Sequence, residues 1–208
     1  MEQAKRASHP LVRSEWGLER WLKKLPSAEL VRPGHCPYCG AASQPVGLSV
    51  VLQGHGVRSR QVRGPATPEG PALLREVQVR RYRCRACGGS CTVAPWEVVA
   101  RRLYSVTAVA WALALWALAG LGLGAVRQRV SPWATVGAST SGSWRTVRAW
   151  LAAVQQGRLL SKVRPSAPGL SARQAAAHVA HVVTSYALPH CAAPPLCVQA
   201  FWGAVRAA

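Results

Sequence analysis

The chain contains no aspartate, and its seven acidic residues are all glutamates, the last of them Glu97. A polynucleotidyl-transfer centre built on aspartates that hold two metal ions is therefore excluded. A secretory leader is not expected either: MEQAKRASHPLVRSEWGLERWLKKLP carries Glu2, Glu15 and Glu19 and has no apolar block of the length a leader needs. No nucleophile motif occurs, and Gly120-Leu-Gly-Leu-Gly124 has neither the preceding strand nor the spacing of a phosphate-cradling loop. No internal repeat is found. An enzyme is not the expectation.

Positive charge is what the chain has in excess. Against 7 glutamates stand 26 Lys and Arg, a formal net charge of +19 over 208 residues. Such a surplus implies a partner of negative charge, either nucleic acid or anionic lipid. The imbalance is sharpest in the second half, where Val98 to Ala208 holds eleven Lys or Arg and no acid. With no leader, a reducing cytoplasm is the expected compartment, and the seven cysteines are then metal ligands or buried thiols rather than a disulfide framework.

Composition divides the chain into four stretches. Residues 1–33 are expected to form a short amphipathic helix that caps the next module, with Trp16, Leu18, Trp21, Leu22 and Leu25 on its apolar side before Pro26. Residues 34–97, rich in Gly, Pro, Val and Arg, are expected to form a small β module with strand-like runs at Val46–Leu52 and Leu74–Arg83. Residues 98–160 are expected to hold three helices, broken at the Gly120–Gly124 segment, at Ser131-Pro132 and between Gly137 and Gly142. Residues 161–208 are expected to be a Pro/Ser linker and a helical tail around Ser171–Tyr186. The class is thus α+β.

The strongest chemical signal is Cys36-Pro-Tyr-Cys39-Gly with Cys84-Arg-Ala-Cys87-Gly. A C-x-x-C knuckle followed by Gly turns both thiolates toward one metal ion, and two such knuckles complete a tetrahedral S4 set suited to Zn²⁺. The long insert between Cys39 and Cys84 does not forbid this, because loop-closure entropy grows slowly with length. A set closed by four cysteines leaves no open position, so the role is structural. Cys91 is expected to be a buried, strand-facing thiol. Cys191, Cys197, His178, His181 and His190 show no spacing that makes a second site.

Two arginine-bearing faces are candidates for DNA. Alternation along the second strand would place Arg81, Arg83 and Arg85 on one face, where they could follow phosphates; a solvated edge strand kept from aggregating by charge is the competing reading. In the helical block, Ser105 is a candidate N-cap, with Val106, Val109, Ala110, Leu113, Trp116 and Ala117 at helical spacing. Leu123 to Val130 gives a short second helix carrying Arg127 and Arg129. In the third helix Trp144, Val147, Trp150, Leu151 and Val154 form the buried side, and Ser143, Arg145, Thr146 and Arg148 face outward, as in a major-groove reader.

Cys84-Arg-Ala-Cys87-Gly, then Thr92-Val-Ala-Pro95-Trp, then Arg101-Arg-Leu-Tyr104-Ser105, and a helical block ending in Ser143-Trp-Arg-Thr-Val-Arg-Ala-Trp150-Leu, together resemble the zinc-ribbon plus helix-turn-helix N-terminal region of bacterial insertion-sequence transposases and their stand-alone relatives. The resemblance covers roughly residues 16 to 155. It implies structural zinc on Cys36, Cys39, Cys84 and Cys87 and double-stranded DNA, such as mobile-element ends, at the helix around Ser143–Trp150. Backbone contacts from Arg81, Arg83, Arg85, Arg101 and Arg102 would add to it. A separate catalytic transposase subunit is the implied protein partner, because without aspartate the chain binds rather than cuts; a nucleoid-associated protein of the cytoplasm would result. The chain departs from the family in the long, Gly/Ser-rich segment Ser131–Gly142 ahead of the third helix. Two other readings remain: a membrane-anchored zinc-ribbon protein spanning at Leu103–Val126, whose uncharged length suffices, and a decayed transposase fragment. The ten Ala or Gly within Ala108–Val126 favour a buried helix and turn, with Trp111 and Trp116 expected to touch the third helix.

Overall fold

A computed structural model describes residues 10–133, 144–188 and 194–208. The elements in chain order are β1 (Leu11–Arg13), α1 (Leu18–Lys23), β2 (Leu52–Pro65), β3 (Ala72–Cys84), β4 (Ser90–Ala94), α2 (Val106–Ala117), α3 (Leu123–Val130), α4 (Arg145–Gln155), α5 (Ala172–Thr184) and α6 (Leu196–Ala207). The class is α+β, with a four-stranded mixed sheet in the order β1-β4-β3-β2. The chain falls into two compact units. The first comprises residues 1–61 and 76–101, the second residues 62–75 and 102–208.

In the first unit β1 runs parallel to β4, with Val12 opposite Val93, and β4 runs antiparallel to β3, with Tyr82 opposite Cys91. Buried positions along β3 are Val77 and Val79, then Tyr82 and Cys84. The parity changes while the register with β4 runs unbroken from Arg80 to Arg83. The strand is therefore covered on one face near Val79 and on the other near Tyr82. The cover near Tyr82 is the segment after α1: Tyr82 donates its hydroxyl hydrogen to the Ala28 carbonyl at 2.6 Å, and Arg80 Nε donates to the Pro26 carbonyl at 2.8 Å. Burial raises the Tyr82 phenol to about 12.

The N-terminal stretch is shorter as a helix than its pattern suggested. Only the six residues of α1 are helical, because β1 claims the chain just before it and Pro26 stops it just after. Leu18 and Trp21 are buried as expected, whereas Leu22 is exposed. Glu97 caps α1, accepting from the Leu18 N–H at 2.8 Å, and Trp21 Nε1 donates to the Gln78 carbonyl at 2.6 Å. The first long strand also lies elsewhere. Of the expected run Val46–Leu52, residues 46–51 are loop, with Val46 and Leu48 exposed, and the strand begins only at Leu52. The run Leu52–Pro65 alternates no apolar residues over its Gly, His, Arg and Ser positions, so the periodicity that marks a half-buried strand is missing from it.

In the second unit the extended chain at Leu103–Ser105 pairs with the end of β2: Arg63 N–H donates to the Leu103 carbonyl at 2.7 Å and Ser105 N–H to the Arg63 carbonyl at 3.0 Å. Ser105 then caps α2, its hydroxyl accepting from the Ala108 N–H at 3.1 Å. Gly64, at φ +120, packs its α-carbon against Ala108, where any side chain would collide with the Ala108 methyl. Every residue of α2 from Val106 to Trp116 is buried. The helix ends at Ala117, and Gly120 at φ +70 turns the chain, as its glycine spacing suggested. Among the described residues no helix is long and apolar enough to cross a membrane. The twelve residues of α2 fall well short of the roughly 20 that a span needs.

What buries α2 was not foreseen. Instead of a tail, residues 161–208 supply α5 and α6, which pack on α2 and on each other, while α3 and α4 touch it less extensively. Trp111 meets Phe201 of α6 edge-to-face at 6.0 Å, and Trp116 lies beneath the Arg173 guanidinium of α5 at 6.0 Å. The ring contacts of these two tryptophans are thus with α6 and α5, beside the more limited contact of α2 with the third helix. The reason lies in small residues: Ala175, Ala176 and Ala180 on α5 and Ala200, Gly203 and Ala204 on α6 are all buried, and small side chains let helix axes approach closely. The third helix, α4, buries the expected Val147, Trp150, Leu151 and Val154. Its tryptophans cluster with Tyr104, which stands 5.0 Å from Trp150 and 6.0 Å from Trp144 between ring centroids.

Candidate metal centre

Four thiols converge in the first unit from two copies of one local structure. In the first knuckle Gly40 N–H donates to the Cys36 carbonyl at 2.9 Å and Cys36 N–H to the Ala41 carbonyl at 2.9 Å; in the second, Gly88 N–H donates to the Cys84 carbonyl at 2.9 Å and Cys84 N–H to the Gly89 carbonyl at 2.8 Å. Each turn ends on a glycine in the left-handed region, Gly40 at φ +71 and Gly88 at φ +72. A side chain there costs roughly 1–2 kcal/mol, which explains why both C-x-x-C motifs continue with Gly.

The ligand atoms of Cys36, Cys39, Cys84 and Cys87 all lie within 4.8 Å of one another. Cys36 Sγ stands 3.8 Å from Cys87 Sγ, and Cys39 Sγ stands 3.8 Å from Cys84 Sγ. A tetrahedral S4 site with bonds of about 2.3 Å places its sulfurs about 3.8 Å apart. The pairs therefore have the separation that a shared metal ion requires, roughly twice that of a sulfur–sulfur bond. One cysteine of each knuckle, Cys36 and Cys84, is buried, and the other, Cys39 and Cys87, is exposed. The set is compatible with zinc, and its four ligands leave no position for a substrate.

The thiols are electrostatically unequal. Burial opposes ionisation of Cys36, but hydrogen bonds from the Cys39 and Tyr38 N–H groups and from the Cys39 and Cys84 thiols outweigh it and bring the group down to about 7. Cys87 receives a bond from the Gly89 N–H that favours its thiolate, yet desolvation and the three neighbouring thiols hold it up at about 12. Ionisation is thus favoured at Cys36 and opposed at Cys87, and a cation bound by the set displaces the protons that remain. Binding of a divalent ion must expel protons. Its apparent affinity is expected to fall at least about tenfold per unit as pH drops below 7, measured by chelator competition at several pH values; a pH-independent affinity would exclude thiolate ligation.

The second knuckle is braced by Tyr38 of the first. Its hydroxyl donates to the Ser90 carbonyl at 3.3 Å, and a Cβ on Gly89 would sit 2.6 Å from its ring. Cys91 lies outside the cluster as a buried thiol on β4, and burial pushes it up to about 11. On α5 and α6, His178 and Cys197 are half-buried and His181 is exposed, and among the described residues only the four knuckle cysteines come together as a metal-ligand group. Cys191 and His190 lie outside the described residues.

The arginines chosen from the sequence differ in exposure and fall in both units. Arg83 and Arg85 are exposed at the end of β3 and in the second knuckle, and Arg81 is half-buried. Arg101 is exposed in the left-handed conformation at φ 58. Arg102 and Arg127 are half-buried, and Arg129 is exposed. On α4 Arg145 and Arg148 are exposed and Thr146 is half-buried, while Ser143 lies outside the described residues. Reading the sequence missed Gln53 and His55 of β2, which line a concavity with Arg83 and Arg85; only the pairing of β2 with β3, invisible in spacing, brings them there. No protein-family model matches the chain, and no curated protein or solved structure shows significant similarity to it.

Proposed function

We propose that this is a zinc-stabilised DNA-binding protein that recognises double-stranded DNA through a helix-turn-helix-like arrangement of α2, α3 and α4, and that it catalyses no step itself. The observation that carries the reading is α4: its Trp150, Val147 and Val154 are buried while Arg145 and Arg148 are exposed, in the half of the chain that has eleven cations and no acid. A helix anchored by aromatic packing and presenting guanidiniums is suited to the major groove, where Arg reads guanine edges bidentately. Arg127 and Arg129 of α3 and Arg81, Arg83, Arg85, Arg101 and Arg102 would contribute contacts to phosphate. Zinc on the four cysteines is a folding element in this reading. Mobile-element ends as the DNA, and a separate catalytic subunit as the protein partner, are what the resemblance to transposase N-terminal regions adds.

The test is duplex binding as a function of salt. Affinity is expected to fall steeply between about 50 and 200 mM salt as counterions are released. Arg145→Ala or Arg148→Ala is expected to weaken binding by about 1–3 kcal/mol on a preferred site and to relax its sequence preference. Binding that is absent, or that does not respond to salt, overturns the proposal; wild-type affinity in both variants removes α4 as the reader.

A further inference from the structure

We infer that the concavity beside the second cysteine knuckle seats one stretch of DNA phosphodiester backbone, held by Arg83 and Arg85 with Gln53 and His55 beside them; the inference rests on the DNA-binding function proposed above and deepens it, turning the phosphate contact of these two arginines into a defined seat in the first unit. The concavity measures about 430 Å³ and is lined by Gln53, Gly54 and His55 of β2, by Arg83 and Arg85, and by Cys84 and Gly88 of the knuckle. No lining residue carries a carboxylate, and Cys84 belongs to the thiol cluster behind the hollow. Its frame is hydrogen-bonded: Arg85 N–H donates to the Val51 carbonyl at 2.9 Å, and Cys84 N–H to the Gly89 carbonyl at 2.8 Å.

Two other arginines of this unit are used internally. Arg32 pairs with Glu29 at 3.6 Å, and Arg80 donates to the Pro26 carbonyl. Arg83 and Arg85, by contrast, are exposed and meet no carboxylate among the described residues. Two adjacent guanidiniums with an amide and an imidazole around a carboxylate-free hollow suit a phosphodiester oxygen pair, because the planar fork donates two parallel hydrogen bonds to it. Such contacts set position and register on the duplex and carry no base information. The competing role is local: four thiolates around a divalent ion carry a net charge of −2, which the same arginines would offset.

The experiment uses the full, zinc-loaded chain and a labelled duplex on the order of 20 base pairs, in two unrelated sequences, over a salt series. Arg83→Ala/Arg85→Ala is expected to make the slope of log affinity against log salt shallower by about 2, to weaken both duplexes by the same factor, and to keep one zinc per chain. Arg83→Lys/Arg85→Lys, which keeps the charge, is expected to retain most of the slope. If the wild type binds DNA and the alanine variant matches its slope and affinity, the seat is overturned while the function stands. If the wild type binds neither duplex, function and seat fall together. Loss of zinc from the alanine variant assigns the arginines to the metal centre and also overturns the seat.

Discussion

Cys84→Ser is expected to abolish metal binding and to unfold the sheet that carries the knuckles, with zinc per chain falling from one to near zero. Cys84 is both a member of the four-thiol cluster and a buried end residue of β3, so its loss would leave three thiols pressed together with one ligand too few to close a tetrahedral site. Structural zinc in small finger peptides is bound with apparent free energies of about 10–16 kcal/mol, comparable with the whole stability of a typical domain. Hydrogen exchange is the direct readout, since the amides paired between β3 and β4, at Tyr82 and Cys91, are expected to lose protection in the variant and in wild-type protein treated with a chelator. Cys91→Ser is the matched comparison: equally buried, but outside the cluster, it is expected to keep its zinc. Zinc retained in the first variant and lost in the second would refute the ligand assignment.

Gly203→Ala is expected to destabilise the helical unit by about 3 kcal/mol, at the upper end of overpacking costs, and to lower the melting temperature by roughly 6–12 °C for a chain of this size. In isolation the change would favour the helix, since Ala is better than Gly by about 1 kcal/mol. Against that, the new methyl would overlap the Val183 carbonyl oxygen of α5 and stand 3.1 Å from the Ala187 nitrogen. Both are backbone atoms, which cannot swing aside as a side-chain tip would, so α5 and α6 would have to separate. Gly122→Ser gives the contrast. Gly122 is the N-cap of α3 with φ −66, and nothing lies within 4 Å of its Cβ position, so serine is expected to be neutral or to stabilise by a few tenths of a kcal/mol. Differential scanning calorimetry of the three proteins checks both expectations; an unchanged transition in Gly203→Ala would show that α5 and α6 do not meet at this residue.

The metal-ligand set was legible from spacing because a knuckle is a local structure, fixed within five residues by its turn and its glycine. Ser105, the buried stripe of α4 and the turn at Gly120 were legible for the same reason, since capping, helical periodicity and positive φ all act over one or two turns. The strand at Leu52–Pro65 was hidden because Gln53, His55, Arg58 and Ser59 carry no alternating pattern and are ordered only by their partner strand. The role of α5 and α6 was hidden for a different reason. Alanine is the best helix former and a weak marker of burial, so Ala175, Ala176, Ala180, Ala200 and Ala204 announce helices without announcing that α2 is what they cover. The uncharged run Leu103–Val126 looks like a span for the converse reason: a helix buried on all sides by protein has the composition of one buried by lipid.

The tip of the β2–β3 hairpin, residues 62–75, belongs to the helical unit although both flanking stretches belong to the other. Two strands thus pass in and out of the second body in the middle of the first. For the gene this means that no single breakpoint separates the parts: a stop after residue 101 discards the helices but keeps the fourteen-residue tip that they pack, and a start at residue 102 yields helices missing Gly64 and the β2 edge that positions Ser105. A chain wired in this way is inherited whole. Its two units are not joined by one linker at which recombination could exchange them.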